Sequence, residues 1–272
     1  VGKIVVYVVL VLAAIPVLFP VYYAFVGSVM PAGDLSSSPP ALWPSALHPS
    51  NIADVFDAIP LGRQYLNSVL QAGIIMLAQL VTSVLAAYAF VYLRMWGRRL
   101  LFALFLATLM VPAEAIIIPN YLTVAGWGLL GSAPGVLSAL VLPFLASAFG
   151  TFLLRQSFLQ FPAELRDAAR VDGCGHLRFL WRILLPLSRP TIAAVGVYVF
   201  LSAWNQFFWP LLVTNKPAQQ TLQIGITQLQ DAEAGNPGLV IAGVALSLLP
   251  TLLIVLFGQR YIVRGLTAGA VR

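Results

Sequence analysis

The chain has 272 residues, of which 60% are hydrophobic and 9% charged, with a net charge of +6 at pH 7. Its mean hydropathy is +0.91, whereas ordinary globular domains carry about 25% charged residues and need that charge to cover a surface. Disordered, collagenous and disulfide-scaffold classes are excluded, the lone Cys174 reads as a packed small residue, and lipid is the expected solvent.

A hydrocarbon core of about 30 Å is crossed by about 20 apolar residues in a helix. The first stretch that qualifies is Ile4 to Met30. It runs well past the apolar core of a secretory signal, which predicts an uncleaved first helix. An outer loop follows from Pro31 to Gln64, with Pro31, Pro39, Pro40, Pro44, Pro49 and Pro60 and serines 36 to 38. Proline at that density predicts an extended, semi-rigid connector. Two roles stand open for it, a plain linker or a docking surface for an extracytoplasmic partner built on Trp43, Asp54, Phe56 and Asp57.

The second span is expected over Tyr65 to Leu93, with Asn67, Gln71 and Gln79 inside it, and the third over Leu100 to Ile118. Glu114 is the only acid in any span. It lies between Pro112 and Pro119, which should bend or break the third helix and free carbonyls near a cavity. Glu114 is a candidate for lining a solute path, or a snorkelling or subunit-interface acid. The fourth span is expected over Ala133 to Leu154.

An inner loop from Arg155 to Arg189 is too long for a tight turn and too regular for a tether. Pro162 can open a helix, Glu164 complements its dipole, and Leu165, Ala168, Ala169 and Asp172 fall on one face at helical spacing before Gly173 and Gly175 stop it. An apolar stretch, Leu177 to Leu185 with Phe179, Trp181 and Ile183, should anchor this short helix before Pro186 and Pro190 break the chain. The fifth span is expected over Thr191 to Val213 and the sixth over Gly238 to Phe257. In the fifth, Trp204, Asn205, Gln206 and Trp209 suit either contact with a sugar or interhelical hydrogen bonding within an aromatic belt.

Of the 15 basic residues, all but Arg63 and Lys216 fall on one side of this six-span arrangement. Basic residues are retained on the cytoplasmic side, so both termini are expected there. The same segregation accounts for the basic balance without nucleic acid, for which no motif is present. His48 and His176 fall on opposite sides and cannot share a metal.

One motif is specific. Asp167-Ala168-Ala169, three residues, Gly173, nine residues, then Ile183-Leu184-Leu185-Pro186 resembles the EAA loop of binding-protein-dependent ABC importer permeases, E-A-A-x3-G-x9-I-x-L-P. Only the first position departs, with Asp for Glu. Phe152-Leu153-Leu154 and Phe161-Pro162-Ala163-Glu164-Leu165 resemble the family's lead-in. Trp204-Asn205-Gln206 and the ending Gly265-Leu266-Thr267-Ala268-Gly269-Ala270-Val271-Arg272 are similar to the smaller permease of the maltose and glycerol-3-phosphate type, although Gln206 stands where that family usually has an acid.

The resemblance implies an all-α membrane protein of six transmembrane helices with a cytoplasmic coupling helix. Residues 1–64 would hold the first helix and external loop, 65–264 the permease core with the EAA loop at 155–189, and 265–272 a cytoplasmic tail. It implies a multi-pass protein of a bacterial cytoplasmic membrane, partnered by membrane lipid, a second homologous permease, an ATPase dimer and an extracytoplasmic solute-binding protein. It implies ATPase coupling through Glu164, Asp167, Ala168, Ala169, Asp172, Gly173, Ile183, Leu185 and Pro186, tail contacts through Gly265, Thr267 and Gly269, and a solute path that draws on Glu114, Trp204, Asn205 and Gln206. The chain has no Gly-x4-Gly-Lys-Ser/Thr loop, so ATP and Mg belong to the ATPase and this subunit is expected to bind no cofactor and catalyse no reaction. The rival readings are a stand-alone secondary transporter or channel, which usually shows half-repeats or ion-coupling charges, and a membrane enzyme, which would need clustered His, Asp or Glu in the spans.

Overall fold

The computed structural model describes residues 2–232 and 236–267, and these are helix and connecting turn with no strand among them. In chain order the helices are α1 (Gly2–Gly27), α2 (Ala32–Leu35), α3 (Ser50–Ala58), α4 (Leu61–Tyr92), α5 (Arg98–Ala107), α6 (Ala113–Gly126), α7 (Ala133–Val141), α8 (Ala148–Leu159), α9 (Ala163–Val171), α10 (His176–Phe179), α11 (Leu185–Leu187), α12 (Arg189–Trp204), α13 (Phe208–Val213), α14 (Leu222–Ala232) and α15 (Pro237–Thr267).

Among the described residues, α1, α4 and α15 are long and apolar enough to cross a bilayer unbroken. Three further bent helix pairs are long and apolar enough only when the two halves are taken together. Arg98–Met110 and Ala113–Gly126 meet at 95°, Pro134–Phe144 and Ala148–Leu159 at 50°, and His176–Leu187 and Arg189–Trp204 at 79°. The expected third, fourth and fifth spans are therefore not continuous helices. Pro112 breaks the third as expected, being extended at ψ 135 and so opening α6 rather than prolonging α5. The fourth breaks at Leu145 to Ser147, where the Ser147 side chain accepts from the Gly150 amide and starts α8 afresh. The fifth stops at Trp204, and Asn205 to Phe207 separate α12 from α13.

The chain divides into two compact units. The first comprises residues 1–66 and 216–252. Its α1 exposes apolar side chains from Ile4 to Leu18 and is buried only towards its end, at Ala24, Gly27 and Met30. The Pro-rich loop belongs to this unit and is not an extended connector. Ser45 donates to Asp34 through its amide and hydroxyl, Tyr22 donates to the Leu42 carbonyl at 2.8 Å, and the His48 amide donates to Val29 at 2.8 Å. Buried Asn51 of α3 donates to the carbonyls of Met30 at 2.9 Å and Ser28 at 3.3 Å, supplying partners that water cannot reach. Proline density prevents a long helix here but leaves side chains free to fold the loop back on itself.

The second unit comprises residues 67–215 and 253–272, and α4 is its central element. The buried positions of α4 include Ser68, Gln71, Ala72, Ile75, Ser83, Val84, Ala87 and Tyr88, spaced as one helical face. Its exposed positions are Val69, Leu70, Ile74, Leu77, Val81 and Leu85. Polar inside and aliphatic outside reverses the pattern of a water-soluble helix, and it is the arrangement that lipid favours. Three of the inward polar groups hold the broken fourth crossing. Gln79 donates to Phe144 O at 2.7 Å, Thr82 to Leu145 O at 3.0 Å and Ser83 to Ser147 O at 3.4 Å, which satisfies carbonyls released by the break. Close approach is needed here: a Cβ on Gly150 would lie 2.8 Å from Ser83 Oγ.

Candidate coupling site and membrane-embedded polar groups

The inner loop folds as two short helices joined by a tight corner. Pro162 caps α9 in an extended conformation, and Glu164 sits in the first turn near the positive end of the helix dipole. The helix ends at Val171, with Asp172 as its cap residue and Gly173 at φ +69. Cys174 N–H donates to Ala169 O at 2.8 Å and Gly173 N–H to Arg170 O at 3.0 Å. This pair of bonds is the Schellman closure, which requires a left-handed residue and so accounts for Gly173. Gly175 does not prolong the stop; it begins α10.

The expected single face of α9 is divided. Ala169 is buried and Leu165 half-buried, whereas Ala168, Asp167 and Asp172 are exposed. Ala169 therefore seats the helix on its own chain, and Ala168 with the two acids faces outward. Asp167 lies 3.6 Å from Arg166 Nε. Behind α9, Phe179, Leu180 and Leu184 are buried, while Ile183, Leu185 and Pro186 are half-buried and Trp181 is exposed. Leu180–Leu184 widens to π-helical turns just before Pro186, which has no N–H to continue the ladder. Leu184, the variable position of the motif, is thus the buried anchor.

The end of α4 holds this assembly. Tyr88 Oη lies 2.7 Å from His176 Nδ1 with the rings edge-on, Tyr92 packs edge-on against Phe179 at 5.4 Å, and Tyr92 donates to Phe158 O at 3.2 Å. These side chains and Ala169 line a cavity of about 230 Å³ that also receives Cys174. From sequence His176 enters only as a residue that cannot share a metal with His48, and the two tyrosines do not stand out at all. Their signal is weak, because each is an ordinary aromatic until the chain brings residues 88 and 176 together.

The solute-path candidates are dispersed. Glu114 is exposed in the first turn of α6, immediately after the 95° bend, where an acid complements the helix dipole. Trp204 is buried and stacked on Phe200 at 6.0 Å, and Trp209 is buried with its indole N–H on Ala139 O at 3.1 Å. Both rings are occupied within the fold, which favours the packing role over sugar stacking. Asn205 is exposed and donates to Leu201 O at 2.9 Å at the end of α12. Gln206 accepts from buried Gln71 at 2.7 Å, so α4 meets the break between α12 and α13 through a pair of amides. Gln79, another span candidate, is committed to Phe144 as described. Among the described residues no group of His, Cys, Asp and Glu could hold a metal. The tail candidates are not settled by geometry: Gly265 and Thr267 close α15 with undescribed side chains, and Gly269 lies outside the described residues.

Residues 79–268 match the model of the family described as binding-protein-dependent transport system inner membrane component. The sn-glycerol-3-phosphate transport system permease protein UgpE of Yersinia pestis bv. Antiqua is 38% identical over 269 residues, covering 96% of this chain and 94% of that protein. The protein of the same name from Agrobacterium fabrum is 37% identical over 275 residues, covering 98% and 96%. A chain in the crystal structure of a bacterial ABC transporter involved in import of the acidic polysaccharide alginate superposes with a TM-score of 0.80 at 25% identity, covering 96% of each chain. Match, relatives and fold agree, and the chain belongs to the family of binding-protein-dependent transport system inner-membrane components, as a multi-pass permease of an ABC importer.

Proposed function

We propose that this permease forms, with a second homologous permease, the path for a sugar or sugar-like solute that a binding protein delivers and that ATP hydrolysis by a cytosolic ATPase dimer drives inward. The observation that carries the reading is the 38% identity, over nearly the whole length, to permeases named for sn-glycerol-3-phosphate transport. That ester is the first solute to test, with disaccharides, amino sugars and glycerol phosphodiesters as the comparison set. Three unbroken helices and three bent pairs support six crossings in this reading, and the segregation of basic residues supports a cytoplasmic side for both termini and α9. On the outer side, exposed Trp43, Asp54, Phe56 and Asp57 on the folded loop are the docking surface for the binding protein.

The outward face of α9 docks on the ATPase. Glu164, Asp167, Ala168 and Asp172 meet it, Ala169 and Gly173 fix the helix, and Ile183, Leu185 and Pro186 carry its movement to α12 as a rigid-body rotation. ATP and Mg reside on the ATPase, and the tail at Gly265, Thr267 and Gly269 reaches towards it. Gln206, held by Gln71, and Asn205 border the path at the break after α12, with Glu114 at its outer half. The support for this placement is that unpaired backbone is tolerated at membrane depth where it lines a cavity.

The test is reconstitution in liposomes with the cognate permease, ATPase and binding protein. ATP-dependent uptake is expected only with all four components. Uptake by this chain alone would instead establish a secondary transporter or channel. Within the complex, Ala168→Arg should abolish uptake and leave membrane insertion intact, because Ala168 is exposed and makes no demand on the fold. Unaltered uptake would remove α9 from the coupling path.

A further inference from the structure

Arg94 from the turn after α4, Arg98 at the start of α5, Arg166 and Arg170 from α9, and His176 with Tyr92 line a cavity of about 480 Å³. No carboxylate is among its lining residues. Arg98 donates to the Val91 carbonyl at 3.2 Å, which holds it against the end of α4, and Asp167 reaches only Arg166. Arg94, Arg98 and Arg170 have no ion-pair partner among the described residues. Four guanidinium groups around one space repel one another, and an anion among them would relieve that repulsion through charge-assisted hydrogen bonds.

The surroundings distinguish among anions. Trp96, in the same turn, is 99% exposed. Leu100, Leu101 and Leu104 of α5 are exposed directly after the arginine-bearing turn. An indole at the membrane boundary, guanidinium groups behind it and an aliphatic helix surface leading away match a phosphate joined to acyl chains. A soluble phosphate would leave the leucines unused, and a cytosolic acidic protein surface would not reach Leu101 and Leu104, which lie inside the expected third span.

We propose that this cavity binds the phosphate of an anionic phospholipid, with the acyl chains lying along α5. The inference needs the membrane placement of α4 and α5, and it is independent of the solute and of the ATPase reading. One consequence is a link between lipid and coupling: the same phosphate would touch the α4 turn and, through Arg166 and Arg170, the inward flank of α9.

The test uses the intact chain, purified in detergent and exchanged into phosphatidylcholine nanodiscs containing increasing phosphatidylglycerol, with retained lipid read by native mass spectrometry. The wild type should retain phosphatidylglycerol in preference to phosphatidylcholine. Arg94→Gln should weaken retention about fivefold, the effect of removing one basic residue near an anionic surface, and Arg94→Lys should largely restore it. Arg182→Gln removes the same charge from the inner loop but lies outside this cavity and the adjoining one that holds Trp96, and should change little. Equal loss in Arg94→Gln and Arg182→Gln would reduce the effect to diffuse surface charge and overturn the site. Displacement of the lipid by millimolar inorganic phosphate would assign the cavity to a soluble anion. In the assembled complex, loss of ATPase binding by Arg94→Gln with lipid retention unchanged would assign it to a protein contact. Either result would overturn the lipid proposal.

Discussion

At the scale of single residues, Gly173 and Asp34 each hold a local turn in place. Gly173 stands at φ +69, where a side chain costs about 1 kcal/mol or more, and the Schellman bonds depend on it. Gly173→Val should lower the thermal midpoint of the purified protein and reduce uptake, whereas Gly173→Asn, a residue more tolerant of that conformation, should do less of both. Equal effects would show that the corner does not depend on φ. The amide and hydroxyl of Ser45, and more weakly the charge of His48, hold the Asp34 carboxyl below the usual aspartate range. A lowered folded-state value contributes stability that is complete above the unfolded value and is lost as pH falls through the lowered one. The fold of the outer loop should therefore be indifferent to mild acid and open only in strong acid, as hydrogen exchange over residues 31–48 would read. In Asp34→Asn that strong-acid transition should vanish. The motif made Gly173 legible in the sequence, because spacing and glycine chemistry are local. Asp34 with Ser45 was not, since nothing in a proline-rich stretch announces which serine will fold back.

At the scale of elements, α4 joins the breaks of the second unit together. Its face offers Gln71 to Gln206, Gln79 to Phe144, Thr82 to Leu145, and Tyr88 to His176. Prolines and glycines predicted where helices stop, but the partners of freed carbonyls are backbone atoms without a sequence signature. That is why Ala133 to Leu154 reads as one continuous span in the sequence although the chain breaks at Leu145 to Ser147. The polar clasp has a measurable value. Gln79→Leu leaves the Phe144 carbonyl unpaired at a bend that no water need reach, a loss of about 1 kcal/mol by membrane hydrogen-bond standards. The thermal midpoint in detergent should fall accordingly, and Gln79→Met should not substitute for it, because its thioether has the length but no donor. An unchanged midpoint in Gln79→Leu would mean that the carbonyl is satisfied without α4. The EAA segment obeys the same logic: its helical period was legible, but the division of its face between Ala169 inward and Ala168 outward depends on where Tyr88 and Phe179 lie.

At the scale of the whole molecule, the scarcity of charge and its segregation become one constraint. Exposed aliphatic residues cover α1 from Ile4 to Leu18 and the outer face of α4, so these surfaces need lipid or a partner helix rather than water. With nine of the 15 basic residues in the segments Arg94 to Arg99 and Arg155 to Arg189, the expected orientation is the one that satisfies both the aliphatic belts and the retention of positive charge. The orientation can be read from two exposed indoles. Trp43 in the outer loop is 71% exposed and Trp96 in the α4 to α5 turn 99% exposed. In a Cys174→Ser background, Trp43→Cys should react with a membrane-impermeant maleimide on intact spheroplasts, and Trp96→Cys only after permeabilisation. The background is needed because Cys174 is the sole native thiol and lies half-buried beside α9. The opposite pattern would invert the protein and place α9 outside the cell, out of reach of any ATPase. Reaction of both sites from one side would mean an even number of crossings between them, which the single helix α4 does not provide.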